Sequence, residues 1–425
     1  MFKFDYDSSN SRRSDPSQFM REIILISFLG PDQPNQFTRL MQVLSVHSLQ
    51  ILDVGQAVIH NQLTLGIVVS SDDQTATALA MKEILILAHD IGLTVRFKPI
   101  STSEYDQWVS EGGQTRYIVT ALAPELTASH LQAVTQIVSQ QGFNIETVTR
   151  LSGRPERNGA VEGPKRSCVQ FGLKGQMLDA TAMRAACLRL SSELSVDVAV
   201  QEDNAYRRNR RLVCFDMDST LIEQEVIDEL AIEAGVGEQV AEITERAMQG
   251  ELDFQQSFRA RVALLKGMDA SVLPKIAERL TVTEGAERLI STLKALGYRT
   301  AILSGGFQYF AEYLQEKLGI DEVHANMLDV KEGVVTGEVK GHIVDGARKA
   351  LLLRELADKM DISLEQAIAV GDGANDLPML SIAGLGVAFR AKPLVRQNAN
   401  QAISSVGLDG VLYLLGVHDK DLSRA

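Results

Sequence analysis

The sequence predicts an α/β protein: a parallel sheet with a helical cap in the C-terminal half, preceded by two smaller βαββαβ units. Three observations carry this. Short apolar runs at 212–215, 301–303 and 367–370 stop abruptly at aspartate- or glycine-rich turns, as strands buried on both faces of a parallel sheet do. The long stretch between Thr220 and Ser304 has helical periodicity, not strand periodicity. The chain as far as Val200 reads strand–helix–strand–strand–helix–strand twice over, an internal repeat.

In chain order, residues 1–20 hold Asp5, Asp7, Ser8, Ser9 and Asn10 and no apolar core. They read as a flexible tail and not as a signal peptide. Residues 21–100 form the first unit. A strand at 23–28 runs into the turn Gly30-Pro31-Asp32, and a helix follows with Phe37, Leu40, Met41 and Leu44 on one face. Strands at 51–59 and 63–69 make a hairpin about His60-Asn61-Gln62. A helix over 76–91 and a strand at 93–97 complete a ferredoxin-like fold. Residues 101–114, largely polar and holding Trp108, the one tryptophan of the sequence, read as a linker.

The second unit, 115–203, repeats the order, with strands at 116–122, 145–151, 167–173 and 196–200 and helices over 129–141 and 181–194. Its central hairpin carries a long loop over 153–166, containing Pro155, Gly159, Gly163 and Pro164, which is expected to be mobile. Residues 204–425 begin with the basic run Arg207-Arg208-Asn209-Arg210-Arg211. The run is short and its flanks are acidic, so it is expected to be a solvated linker and not a nucleic-acid contact.

A net charge of −13 argues against a nucleic-acid partner, while small anions remain bindable through local donors and a metal. Cys168, Cys187 and Cys214 are scattered and lack metal-site spacing, as buried reduced thiols of a cytoplasmic protein are. No apolar run reaches the ~20 residues of a membrane helix.

The chemistry gathers at the ends of the apolar runs. The first delivers Asp216-Met217-Asp218-Ser219-Thr220. Residues two apart on an extended chain face the same way, so Asp216 and Asp218 are expected to converge at the sheet's C-terminal edge, where open α/β sheets bind ligands. Two such close carboxylates repel unless a proton or cation lies between them, which points to a hard metal, Mg²⁺. The second run ends in Ser304-Gly305-Gly306, a hydroxyl beside approachable backbone N–H groups, suited to cradling a phosphate. Lys349, opening a helical pattern through Leu351, Leu352, Leu353 and Leu356, offers that phosphate a point charge. The third run ends in Gly371-Asp372-Gly373-Ala374-Asn375-Asp376, with two more acids. Each stretch alone is an ordinary turn or a solvated side chain; the four in this order are specific.

Residues 226–283 read as a helical cap inserted after the first strand, closing over the site and excluding water. Glu225 stands where the cap begins, and Arg261 shares helical spacing with Phe254, Phe258 and Leu265. Elsewhere both would be surface charges.

From Arg211 to the C terminus, the order and spacing of these stretches resemble the haloacid dehalogenase (HAD) superfamily of phosphotransferases, and within it the phosphoserine phosphatases. The resemblance implies a HAD Rossmann-like sheet with a C1-type cap. It also implies Mg²⁺-dependent hydrolysis of O-phospho-L-serine to L-serine and phosphate through an aspartyl-phosphate, the last step of serine biosynthesis. Asp216 would be the nucleophile and Asp218 the general acid and base. The metal would be held by Asp216, the backbone carbonyl of Asp218 and Asp372, with Asp376 behind them. Ser304, Gly305, Lys349 and Asn375 would hold the phosphate. Glu225 and Arg261 would meet the substrate's ammonium and carboxylate, and Met248 and Phe254 its apolar part. The alternative is a HAD phosphatase or phosphotransferase for another small phosphomonoester, and the cap decides between them. A receiver-like signalling protein is disfavoured, since it needs neither the cap nor Asp218 as an acid.

The two βαββαβ units resemble ACT domains, amino-acid-sensing modules of biosynthetic enzymes, on their pattern and on the Gly30-Pro31-Asp32 turn. This resemblance implies L-serine as an effector near Gly30 and Asp32, and a homodimer through the N-terminal half. The second copy has Ala123-Pro124-Glu125 at the corresponding turn and lacks the glycine. A purely dimerising role for both units is the competing expectation.

Overall fold

The structure, a computed structural model, describes residues 22–154 and 165–422. The expected tail over 1–20 and most of the loop expected at 153–166 lie outside the described residues. The chain divides into two compact units, one ending at Gly113 and one beginning at Gln114.

In the first unit, strands β1 (Glu22–Pro31), β2 (Gln50–Ile59), β3 (Gln62–Ser71) and β4 (Thr94–Ile100) form an antiparallel sheet in the order β2-β3-β1-β4. The helices Gln36–Val46 and Gln74–Asp90 bury Leu40, Leu44, Ala80 and Ile84 against Ile26, Phe28 and Ile67. His60 and Asn61 both have positive φ, 48° and 62°, and join Ile59 to its partner Gln62 in a two-residue hairpin turn. Gly30 and Pro31 belong to β1 rather than to a turn, and β1 ends only at Pro31. The stretch expected as a linker is also structured: Thr102–Ser110 is a helix, started by a capping box between Ser101 and Glu104. Ser-x-x-Glu is the sequence signature of such a start.

The second unit opens with β5 (Arg116–Ala123), β6 (Asn144–Arg150), β7 (Ser167–Lys174) and β8 (Asp197–Glu202) in the order β6-β7-β5-β8, the topology of the first sheet repeated. A seven-stranded sheet follows. Its strands are β9 (Leu212–Phe215), β10 (Arg299–Phe307), β11 (Glu322–Lys331), β12 (Val334–Lys340), β13 (Ala367–Gly371), β14 (Leu385–Phe389) and β15 (Gln401–Ile403), in the order β12-β11-β10-β9-β13-β14-β15. All neighbours are parallel except β11 and β12. Alternation along β9 splits the core between the two faces. Val213 and Phe215 pack with Ile302, Val370 and cap residues such as Val226 and Phe258, while Leu212 and Cys214 pack with Leu303, Leu353 and Leu356.

The cap consists of the helices Val226–Glu233, Gly237–Met248, Phe254–Leu264 and Leu273–Arg279. Its two ends meet: Ile222 and Val282 form an antiparallel bridge, the Thr283 N–H donates to the Leu221 carbonyl at 2.9 Å, and the Glu223 N–H donates to Thr281 at 3.0 Å.

The basic run departs from expectation. Arg207 and Arg210 are only 7% and 4% exposed. The reason is that the second ferredoxin-like sheet packs onto the seven-stranded sheet, so the connection passes through their interface. Gln401 of β15 exchanges hydrogen bonds with the Val200 backbone of β8, and buried Asp197 accepts from Ser404 and Ser405. No helix among the described residues is long and apolar enough to cross a membrane.

Candidate active site

β9 is the central strand, with Phe215 paired to Ile302 of β10 and to Val370 of β13. The sequence that follows each of these three strands therefore emerges at one edge. Asp216 continues the line of β9, its N–H donating to the Val370 carbonyl at 2.8 Å. Asp216 Oδ1 accepts from the Met217 N–H at 2.7 Å and from Lys349 Nζ at 2.8 Å.

Extended geometry does not carry on to Asp218. The chain turns, with the N–H groups of Thr220, Leu221 and Ile222 all directed to the Met217 carbonyl and Ser219 at φ 54°. Asp218 nevertheless stays beside Asp216: its Oδ1 accepts from the Val226 N–H at 3.2 Å, and its Oδ2 lies where a side chain on Gly306 would overlap it. Desolvation, then Glu225 and Asp216, push the Asp218 carboxyl well above the usual carboxylate range. Asp218 is biased toward the acid form, while Asp216 is held by an ammonium.

Ser304, Gly305 and Gly306 lie within β10, at a register shift against β11 between Leu303 and Phe307, and not in a turn after the strand. The buried Ser304 hydroxyl accepts from the Gly306 N–H at 2.8 Å. Asn326 of β11 pins this irregular segment, donating to the Gly305 carbonyl at 2.8 Å and accepting from the Val344 N–H at 2.8 Å. A side chain at Gly305 would come within 2.9 Å of the Phe254 ring, so a glycine there lets the cap touch the sheet edge.

Lys349 sits in the helix Gly346–Lys359 and is completely buried. Burial alone would lower its pKa; Asp216 and Asp376, the latter at 2.7 Å, outweigh that and push it upward, so it is an ammonium. Asp376 also accepts from the Gly373 N–H at 2.9 Å. Asp372 accepts from Thr220 Oγ1 at 3.1 Å. Desolvation, Asp216 and Glu225 push Asp372 up to about 7. Asp216, Asp372 and Asp376 each offer an oxygen within 4.8 Å of the others. That all-carboxylate donor set, with one ammonium against three acids, suits a hard divalent cation such as Mg²⁺. Asn375 lies in the short turn Ala374–Asp376 between the two acids.

From the cap side, Glu225 precedes the helix Val226–Glu233 and accepts from Ser219 Oγ at 2.8 Å. The protein around its carboxyl, with Asp216 and Asp228, pushes it upward despite Ser219. Arg261 lies in the helix Phe254–Leu264 with its Nε buried and without a hydrogen-bond partner. Burial lowers its pKa against the pull of Glu225, Asp228 and Asp218. Phe254 stacks on Phe258 at 6.0 Å between ring centroids. Met248 ends the helix Gly237–Met248, and its side chain lies outside the described residues.

The structure thus gathers Asp216, Asp218, Ser304, Gly305, Lys349, Asp372 and Asp376, with Glu225, Phe254 and Arg261 facing them from the cap. Sequence reasoning missed two positioning roles. Thr220 stands inside the motif and is the hydroxyl beside the aspartates; Asn326 had no local signal, since it acts only through strand pairing.

Residues 213–381 match the haloacid dehalogenase-like hydrolases, and residues 22–98 match the ACT domain. A phosphoserine phosphatase of Streptomyces coelicolor is 40% identical over 408 residues, covering 95% of this chain and 94% of that protein. The chain belongs to the phosphoserine phosphatases. A second member of this family, from Mycobacterium tuberculosis, is 39% identical over 404 residues, 95% of each chain. The crystal structure of a probable phosphoserine phosphatase from Vibrio cholerae, in unliganded form, superposes with a TM-score of 0.57 at 35% identity, covering 74% of this chain and 90% of that one. The two relatives match along 95% of this chain, so the likeness spans the ACT unit as well as the HAD sheet.

Proposed function

We propose that the chain hydrolyses O-phospho-L-serine to L-serine and phosphate through an aspartyl-phosphate, as the last step of serine biosynthesis. The observation that carries this is the division of labour between two neighbouring aspartates: Asp216 faces an ammonium, and Asp218 is pushed toward its protonated form. Asp216 attacks phosphorus as a carboxylate. Asp218 gives its proton to the departing serine oxygen and later takes one from the attacking water. Ser304, the Gly305 backbone, Lys349 and Asn375 hold the phosphate oxygens where charge collects in the transition state. Glu225 and Arg261 read the ammonium and carboxylate, with Met248 and Phe254 beside the substrate's carbon chain. Mg²⁺ held by Asp216, the Asp218 carbonyl and Asp372, with Asp376 behind, would supply neutralisation of phosphate charge.

The front half is proposed to bind L-serine and to pair two chains. β2 is an edge strand that exposes Ile51, Val54, Val58 and Ile59, which supports pairing. Asp32, exposed at the end of β1, is a carboxylate for the effector's ammonium. Three unpaired, buried cysteines suit a reducing cytoplasm.

The test is phosphate release from O-phospho-L-serine by the full chain, with Mg²⁺ and with EDTA. Release that depends on Mg²⁺ is expected. Release only from other phosphomonoesters would remove the substrate assignment, and release unaffected by EDTA would remove the metal.

A further inference from the structure

Where the second ferredoxin-like sheet meets the phosphatase sheet, the interface holds a half-open cavity of about 340 Å³, lined by none of the candidate active-site residues. The helix Ala180–Leu194 and β8 wall one side; Gly384, Leu385 and the approach to β15 wall the other. Four arginines line it: Arg184 from that helix, Arg207 and Arg210 from the connecting run, and Arg396 from the helix Pro393–Asn398. The acids in the lining are Glu202 and Glu365, so positive charge is in excess.

The arginines are poorly satisfied. Arg207 is 3.7 Å from Asp203, which Arg208 engages more closely at 2.7 Å. Arg184 donates to Asn400 at 2.8 Å, Arg396 to Ser192 at 3.2 Å, and Arg210 to Gln201 at 3.1 Å and the Gly384 carbonyl at 3.4 Å. These acceptors are neutral. Among the described residues, none of Arg184, Arg210 and Arg396 has a carboxylate oxygen within 4.0 Å. Arg207 Nε, Arg207 Nη2 and Arg210 Nε are buried with no acceptor. A buried guanidinium without a counter-charge is costly. Burial, with Arg207 alongside, draws Arg210 down to about 10, which is what that cost looks like in protonation.

We propose that this cavity binds a small oxyanion, a phosphate or carboxylate group gripped by planar guanidinium forks and bridging the ferredoxin-like unit to the phosphatase sheet. Arg184 and Arg396 reach it from opposite sides, so one ligand ties the two folds together. Arg210 stands two residues ahead of β9, placing the ligand against the connection that leads to Asp216.

The experiment titrates inorganic phosphate and, separately, citrate into the full chain by calorimetry, for wild type and for the Arg184→Gln/Arg396→Gln variant. Both substitutions lie at the cavity's partly exposed rim, and kcat/KM unchanged from wild type certifies the variant's fold. The expected result is the loss of one bound anion per chain, or at least a tenfold weaker affinity for it, in the variant. Each single substitution is expected to weaken the same site. Loss of the phosphate site alone identifies a phosphate ligand, and loss of the citrate site alone a carboxylate ligand. Identical stoichiometry and affinity in wild type and variant for both probes overturn the proposal. The readout is binding, so it stands apart from the substrate assigned above.

Discussion

Lys349 Nζ lies 2.8 Å from Asp216 Oδ1, a buried ammonium against a buried carboxylate, and the same nitrogen reaches Asp376 at 2.7 Å. One cation therefore holds two acids that would otherwise repel. Replacing it by Met leaves both uncompensated, and removing one partner of a buried ionic group costs about 3–5 kcal/mol. Lys349→Met is expected to lower the denaturant midpoint accordingly and to abolish phosphate release. A stability loss below about 1 kcal/mol would show that something else holds Asp216 in place.

Asp216→Asn should end turnover with the fold retained, because an amide of the same shape cannot form the acyl phosphate. Asp218→Asn should slow phosphate release by roughly 10²–10⁴-fold, the usual worth of a positioned acid and base. Near-normal turnover by Asp216→Asn would rule out the covalent route.

Arg261 carries a buried, unpartnered Nε at the cap side of the site. Arg261→Ala is expected to cost about 2–4 kcal/mol, roughly 30- to 1000-fold in kcat/KM, on O-phospho-L-serine. With p-nitrophenyl phosphate, which has no carboxylate to read, the loss should be small. Equal losses on both substrates would mean that Arg261 holds the cap together instead.

The resemblance to ACT domains places the effector near Gly30, where a glycine would give a ligand close backbone approach. In the structure that space is taken from within: a side chain there would meet the Gly92 carbonyl at 2.7 Å and Leu93 Cδ2 at 2.8 Å. A larger residue at Gly30 would thus disturb the first sheet with or without an effector. The cleaner test is Asp32→Ala, at an exposed position. Inhibition by L-serine that weakens by about 5–150-fold in this variant supports a sensor coupled to the active site. Inhibition that is purely competitive and unchanged would leave the front half structural.

Burial pushes the Cys187 thiol up to about 12, and Cys168 and Cys214 shift the same way. Folded thiols thus keep their protons where unfolded ones, near 8.5, have lost them. The unfolded state then binds fewer protons, so stability falls as pH rises from about 8.5 toward 12. The drop in Tm between pH 8 and pH 10 should shrink in Cys187→Ala. Thiol reagents at pH 8 should label the chain only after denaturant is added; prompt labelling of the native chain would contradict this burial.

The motifs that end β9, β10 and β13 were legible because a buried strand followed by chemistry is a local pattern. Register then brings Phe215, Ile302 and Val370 side by side without further information. Less visible were features that depend on what another segment does. Asp218 reaches its place through a turn and not through strand alternation. Ser304 lies inside a strand because β11 supplies the irregular pairing. Arg207 and Arg210 look like linker residues until the second sheet closes over them. The helix Thr102–Ser110 is different: the Ser101–Glu104 capping box that starts it is already a local pattern in the sequence.

The cap leaves the sheet at Leu221 and rejoins it at Thr283, and those two residues are hydrogen-bonded to each other at 2.9 Å. An excursion whose ends are tied can change length at small entropic cost, since loop closure grows only with the logarithm of length. A foreign cap grafted between these two points would keep the pairing of β9, β10 and β13 if it again supplied apolar residues at the places of Val226 and Phe258. Recognition can then be exchanged while Asp216 stays in place, whereas Asp218 must find again, in the new cap, the N–H that Val226 gives it.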